Sequence, residues 1–287
     1  MKSEDKAFMK DFSKQLESTI QRFNLLDKKD KVIVACSGGK DSTALLYLLN
    51  KLGYDVTALT IDVSIGDYSK KNLENIRKYC KEWKIPLIET SFKKEFGYSL
   101  CYIKDLLKSK NINIRSCTIC GVLRRYIINR ISRETKATKV ATGHNLDDEA
   151  QNYLMNIFKT NLGINARLGP VSGLIKDKKF IPRIKPFYLT PEKEIEKYAK
   201  HLGLDLVYTK CPCSVDAYRN ALRQLLNEYE PKINKIKQNI IRDFLANSEK
   251  YKQRFATKEK ISYCKLCNEP CKETICKSCQ LINLIKA

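Results

Sequence analysis

The stretch "VACSGGKDSTALLYLL", residues 34–49, sets two glycines and a lysine between an apolar run and a helix-like sequence. Gly38 and Gly39 let the backbone approach an anion with its N–H groups exposed, Ser37 and Ser42 add hydroxyl donors, and the following helix offers its positive end. Lys40 supplies a point charge, and Asp41 is suited to help hold Mg2+. "SGGKDS" lacks both the Walker spacing G-x-x-x-x-G-K-[ST] and the dinucleotide spacing G-x-G-x-x-G, yet it keeps the physics of each. A lone Gly-Gly would read as a strand-to-helix turn; the whole hexapeptide directly after "VIVAC" reads as a phosphate loop.

Two cysteine systems suggest metal chemistry. In "YCKLCNEPCKETICKSC", Cys264, Cys267, Cys276 and Cys279 form two C-x-x-C pairs eight residues apart, the spacing of a tetrahedral structural zinc site. This segment has few large apolar side chains for a core of its own without metal. Cys271 lies between the pairs and is read as a bystander. The second system is "SCTICG", with Cys117 and Cys120, together with "KCPCS", which holds Cys211 and Cys213. A single C-x-x-C fits a redox pair, half a zinc site or part of an iron–sulfur cluster. Three thiolates around a cubane would leave one iron open, as a catalytic metal site requires, whereas all four cysteines would make a second zinc site.

These groups need elements to hold them. "KVIVAC" (31–36), "DVTALTI" (55–61), "PLIETS" (86–91) and "KVATG" (139–143) are short β-branched runs, with helical stretches at about 40–52, 69–84 and 118–135 between them. The alternation predicts an α/β fold, a parallel sheet flanked by helices, with ligands at the carboxyl ends of the strands. Residues 5–26 form a leading amphipathic helix through Phe8, Phe12, Leu16, Ile20 and Phe23. A long loop is expected over 161–174, then a helix capped by Thr190 with Pro191 at its first position and Gly203 after its end. Residues 217–252 read as helical with a break at Pro231. The expected division is 1–29 leading helix, 30–215 main domain, 216–255 helical extension and 256–287 ribbon. Asp62, at the end of the second strand, suits either a ribose contact or a turn, and Asp147 and Asp148 suit a helix start.

With 54 Lys+Arg against 32 Asp+Glu, the formal charge of +22 suits a polyanionic partner. Residues 231–287 alone carry thirteen Lys+Arg against five Asp+Glu. The start "MKSEDKAFMKDF" has no apolar leader, and no run reaches membrane-spanning length. The twelve cysteines are therefore expected as reduced thiols in a cytoplasmic protein with no membrane association.

"SGGKDS" after a first strand resembles the loop of the PP-loop ATP pyrophosphatases, a Rossmann-like (HUP-type) fold. "SGGKDS", "CTICG", "GHNLDDEA" and "KCPCS", in this order and with the C-terminal cysteine pairs, resemble the tRNA 2-thiolation enzymes of the TtuA and TtcA group, nearest the 2-thiouridine branch. The resemblance covers roughly residues 30–287. It implies an ATP site at Ala35, Ser37, Gly38, Gly39, Lys40, Asp41, Ser42, Ile61, Gly143 and Asp148. It also implies a 4Fe-4S cluster on Cys117, Cys120 and Cys211, zinc on the four ribbon cysteines, and catalytic roles for Lys40, Asp148 and Arg124. Relatives often carry a lysine where this chain has Arg124, and arginine can stabilise charge but cannot act as a base. Thiouridine-branch members commonly carry an N-terminal ribbon too, whereas this sequence opens on a charged helix.

The implied reaction adenylates the C2 oxygen of a tRNA uridine and replaces it with sulfur delivered through the cluster. The sulfur donor is either free sulfide or a thiocarboxylated ubiquitin-like carrier protein, and the family admits a homodimer. The competing readings are 2-thiocytidine formation, a lysidine-type reaction, thiolation through a cysteine persulfide, and a non-catalytic zinc-containing RNA-binding protein.

Overall fold

A computed structural model describes residues 3–172, 177–206, 211–214, 218–255 and 261–286. Strand β1 (Lys31–Ala35) is buried through Val32, Ile33 and Val34. Alternate side chains of a strand point to opposite faces, so Val32 and Val34 enter one core layer and Ile33 the other. Around β1 run β2 (Asp55–Asp62), β3 (Leu87–Ser91), β4 (Lys139–Thr142), β5 (Val171–Ser172) and β6 (Arg183–Ile184), in the order β3-β2-β1-β4-β6-β5. All pairings are parallel except that of β5, the edge strand.

The first layer packs α1 (Ser3–Arg22), α2 (Lys40–Lys51), α3 (Gly66–Glu82) and α9 (Glu192–His201) against the sheet. Phe12 of α1 stacks on Tyr198 of α9 with ring centroids 4.4 Å apart. The opposite layer packs α4 (Phe92–Phe96), α5 (Leu100–Ser109), α6 (Ser116–Glu134) and α12 (Lys277–Lys286). A third group, α7 (Leu146–Phe158), α8 (Leu162–Asn165), α10 (Tyr218–Tyr229) and α11 (Ile236–Phe255), closes the end of the sheet. A 3-10 turn spans Pro212–Ser214, and β7 (Ser262–Tyr263) pairs with β8 (Pro270–Cys271) to make a ribbon.

The expected parallel sheet and its flanking helices are present, and the break at Pro231 falls between α10 and α11. Three expectations change. The helix after Thr190 begins at Glu192, with Pro191 as its cap residue and no side-chain cap of its own. Instead the Glu192 N–H donates to Asp147 Oδ2 at 2.8 Å, so a carboxylate from α7 does the capping that Thr190 was expected to do. The described part of the expected loop 161–174 contains α8 and the edge strand β5, and its residues 173 and 174 lie outside the described residues. Third, the tail shares a core with the main domain, because Leu281 and Ile285 of α12 are buried against α5 and α6. The expected boundaries at 215/216 and 255/256 touch residues outside the description.

β1 feeds β2 and β3 on one side, and the chain then crosses to β4 on the other. The order therefore reverses between β1 and β4, and their carboxyl ends form the crevice where ligands of open α/β sheets bind. Ala35 pairs with Thr142, which brings residues 36–39 beside residues 143–145.

Candidate active site

Residues 36–39 turn the chain from β1 into α2. Gly38 has φ +80°, and a Cβ there would come within 2.1 Å of the Asn72 carbonyl oxygen on α3. Only glycine allows that approach. Gly39 is the cap residue of α2 and makes no side-chain cap, so the first-turn N–H groups stay available to an anion. The loop is braced from within: the Ser37 N–H donates to Ser42 Oγ at 3.1 Å, and Ser42 Oγ donates to the Gly39 carbonyl at 3.3 Å. Ala35 ends β1, and Ile61 lies buried near the end of the neighbouring β2.

Lys40 Nζ donates to Glu192 Oε1 at 2.7 Å and to Asp41 Oδ2 at 2.9 Å. Burial lowers the Lys40 pKa, but Asp41 and Glu192 outweigh it and the net shift is upward. For Asp41 the balance is different. Burial raises its pKa, Lys40 opposes, Glu192 and Asp148 add to the rise, and the carboxyl reaches about 6. A carboxyl so placed among other carboxylates suits a hard divalent cation, whose charge would relieve it.

The second wall comes from the β4–α7 turn. A Cβ on Gly143 would sit 2.8 Å from the Ser42 backbone nitrogen, so this glycine lets the turn lie directly on the start of α2. The Asn145 side chain accepts from the Asp148 N–H at 3.1 Å, and Asp148 accepts in return from the Asn145 N–H at 3.4 Å, a capping box. Asn145 also donates to Asp41 Oδ1 at 3.4 Å, tying the two walls together. His144 Nδ1 lies 2.9 Å from Thr142 Oγ1; its ring opens to the crevice, but the protein around it desolvates it and lowers its pKa.

The paired aspartates separate in role. Asp147 is buried, capping α9 and accepting from the buried Lys237, which also donates to Asn227 at 2.8 Å and Glu230 at 3.2 Å. Asp148 faces the crevice, 3.4 Å from Arg219 Nη1. Asp62 accepts from the Ser64 N–H at 2.6 Å and from Ser64 Oγ at 3.2 Å, which is a turn role.

Cys117 and Cys120 occupy the first turn of α6, against the 3-10 turn that follows Cys211. Burial raises the pKa of both thiols, and Cys211 raises each further. Arg219 opposes this at Cys117, while Arg124 and Arg125 oppose it at Cys120. Three thiols sharing one field with three guanidiniums form a donor set suited to a soft, anionic iron–sulfur cluster. Cys213 turns away. Its free thiol is hydrogen-bonded to the free thiol of Cys101, and its carbonyl accepts from Cys117 Sγ at 3.6 Å. Tyr68 lies among Asn72, Cys211 and Arg124, joining the helix that covers Gly38 to the cysteines.

Among the described residues, Cys264, Cys267, Cys276 and Cys279 are the cysteines whose sulfurs all lie within 4.8 Å of one another. Zinc bonded to thiolates at about 2.3 Å needs such closeness, while a cubane holds its thiolates further apart. Burial pushes the Cys264 thiol up, but backbone N–H groups from Cys276, Cys267 and Leu266 outweigh it and bring it down to about 6. The Cys271 thiol instead donates to the Glu273 carbonyl at 2.7 Å. The buried Glu269 fastens the ribbon to α6 through Arg133 and Asn129.

Sequence reasoning passed over Arg219, Glu192, Tyr68 and Lys237. The topology, and no local motif, brings these residues to the crevice or its supports.

Residues 9–230 match the PP-loop domain family. The tRNA-5-methyluridine(54) 2-sulfurtransferase of Pyrococcus horikoshii is 36% identical over 97% of this chain and 87% of its own length. The cytoplasmic tRNA 2-thiolation protein 1 of Arabidopsis thaliana is 33% identical over 96% of this chain and 77% of its own. Among solved structures, the U34-tRNA thiolase NcsA of Methanococcus maripaludis with its [4Fe-4S] cluster superposes with a TM-score of 0.78 at 29% identity, covering 96% of this chain and 88% of that one.

Proposed function

The chain belongs to the PP-loop family and, within it, to the tRNA 2-thiolation enzymes, and from that premise we propose that it converts a tRNA uridine to 2-thiouridine at the expense of ATP. The observation that carries this reading is Arg219, which stands between Asp148 at the phosphate loop and Cys117 at the thiol site. An activated oxygen and an incoming sulfur must meet at one carbon, and one cation reaching both sites supports that meeting.

In this reading, the N–H groups at the start of α2 and Lys40 hold the β- and γ-phosphates that leave as pyrophosphate. Asp41 contributes to Mg2+ binding. Asp148 orients the C2 oxygen as it bonds to the α-phosphorus, and Arg219 and Arg124 stabilise negative charge that builds there. Cys117, Cys120 and Cys211 would hold a 4Fe-4S cluster, which when bound would supply Lewis-acid chemistry for delivering the sulfur. Sulfide then forms the C–S bond as the C2–O bond breaks, and AMP leaves with the oxygen. Sulfur keeps its oxidation state, so no reductant is needed. The four ribbon cysteines hold Zn2+ as a structural ion.

The partners are tRNA and a sulfur donor, either free sulfide or a thiocarboxylated carrier protein, in a cytoplasmic setting like that named for the Arabidopsis relative. No helix among the described residues is long and apolar enough to cross a membrane. Nucleoside analysis of tRNA from a strain lacking this protein tests the reading: one 2-thiouridine species should vanish and return on complementation. An unchanged nucleoside profile would oppose it.

A further inference from the structure

A cavity of about 980 Å³ opens between α6, the β5–β6 edge and the ribbon, on the sheet face opposite α2. Three arginines, Arg125, Arg167 and Arg183, line it. Arg125 folds back along α6 over Gly121, where a Cβ would meet its Nη1 at 3.0 Å, so a glycine inside the helix is what seats the arginine. Arg183 reaches in from β6, and burial together with the Arg125 charge lowers its pKa. Solvent enters through the cavity mouth while protein surrounds both side chains elsewhere.

The carboxylates in the cavity wall are already engaged. Glu269 accepts from Arg133 and Asn129, Asp177 from the Lys179 N–H and the Tyr263 hydroxyl, and Glu273 from Gln280. Among the described residues none forms an ion pair with Arg125 or Arg183. The Arg125 and Arg183 charges repel each other, and an anion between them removes that cost. Planar, bidentate guanidiniums suit a phosphate. Beside Lys178, Lys272 and Lys277, part of the wall is apolar and aromatic through Tyr126, Ile128 and the exposed ring of Phe180, a surface suited to an unstacked base. Arg125 also lies in the field of Cys120, so the cavity adjoins the thiol site.

We infer that this cavity is a nucleotide subsite that takes one unpaired residue of the RNA beside the target uridine, its phosphate on Arg125 and Arg183 and its base against Tyr126 and Phe180. The inference rests on the proposal that RNA is the substrate. It adds a site on the ribbon side of α6 that holds the strand while the target base enters the crevice. Ordering a neighbouring nucleotide in this way fixes the register of the RNA.

The test uses the full chain and an unmodified tRNA transcript, with affinity measured by anisotropy between about 50 and 200 mM salt. Arg183→Gln should weaken binding about tenfold and reduce the slope of log affinity against log salt by about one, with ATP affinity and thermal stability retained. Arg183→Lys should keep the slope and regain part of the affinity, and Phe180→Ala should weaken binding with the slope unchanged. Wild-type affinity and slope in both Arg183→Gln and Phe180→Ala would overturn the inference. If wild-type protein thiolates the transcript and these variants bind it normally, the subsite alone fails. If no thiolation occurs yet Arg183→Gln loses affinity and slope, the subsite stands and the proposed reaction fails.

Discussion

Nη1 of Arg219 lies 3.4 Å from Oδ1 of Asp148, and the same guanidinium opposes the upward shift that burial and Cys211 impose on the Cys117 thiol. One side chain from α10 thus joins the phosphate loop's second wall to the thiol site. Arg219→Gln should lower single-turnover AMP formation with tRNA by about 10²- to 10³-fold, the usual effect of losing a charge-stabilising donor. ATP affinity should stay within about twofold, since Arg219 bonds Asp148 and Asn152 of α7, away from residues 37–42. Rates close to wild type would remove Arg219 from the chemistry.

Asp41 gives a pH dependence with a definite sign. Its folded pKa of about 6 exceeds the unfolded value near 3.9, so the folded state holds the proton more tightly. Its ionisation therefore costs stability as pH rises from about 4 to 6, and the loss is constant above that range, at most about 3 kcal/mol. Without ATP or Mg2+, the melting temperature of Asp41→Asn relative to wild type should become more favourable between pH 4.5 and 7. A pH-independent difference would contradict the assignment.

Gly38→Ala places a methyl where the Asn72 carbonyl already is, and at a positive φ. The loop must shift away from α3, so ATP affinity should fall more than tenfold by calorimetry. Zinc in the ribbon should be unaffected, because the ribbon packs on the opposite face of the sheet.

Lys237 is 3% exposed and donates to Asp147, Asn227 and Glu230. Lys237→Met leaves Asp147 as a buried, uncompensated charge and should cost about 3–5 kcal/mol in denaturant unfolding. The pair Asp147→Asn with Lys237→Met should cost less than the sum of the single changes. Strict additivity would show that the two side chains are not coupled.

Replacing Cys276 by serine should empty the ribbon of zinc, lower the melting temperature and expose α12, whose Leu281 and Ile285 are buried against α5 and α6. Iron after anaerobic reconstitution should be retained, since the two cysteine systems share no ligand. Loss of both metals together would contradict two separate sites.

The sequence made the β1–loop–α2 unit legible because β-branched runs, paired glycines and an apolar helical repeat all agree there. The ribbon was legible from spacing alone. Helix α5 was missed although Leu100, Ile103 and Leu107 follow helical spacing and Ser99 caps it, since it follows β3 after only the short α4. Helix α12 was missed because its apolar side chains find their core in α5 and α6, far away in sequence. As residue types Asp147 and Asp148 both suit a helix start, and where the resemblance singled out Asp148, the approach of α9, α10 and α11 gives the physical difference between them. Arg219 has no local signal at all: it matters because α10 returns to the crevice, a long-range consequence of the topology.

The central claim is that ATP activation and sulfur insertion meet on one tRNA uridine at the Asp148–Arg219–Cys117 junction. Its most direct test is an anaerobic reaction of reconstituted protein with tRNA, ATP and sulfide, in which AMP and 2-thiouridine are quantified together. The prediction is equal amounts of both, with neither formed without tRNA and 2-thiouridine lost in Cys117→Ala. AMP formed without tRNA, or 2-thiouridine formed by Cys117→Ala at the wild-type rate, would contradict it.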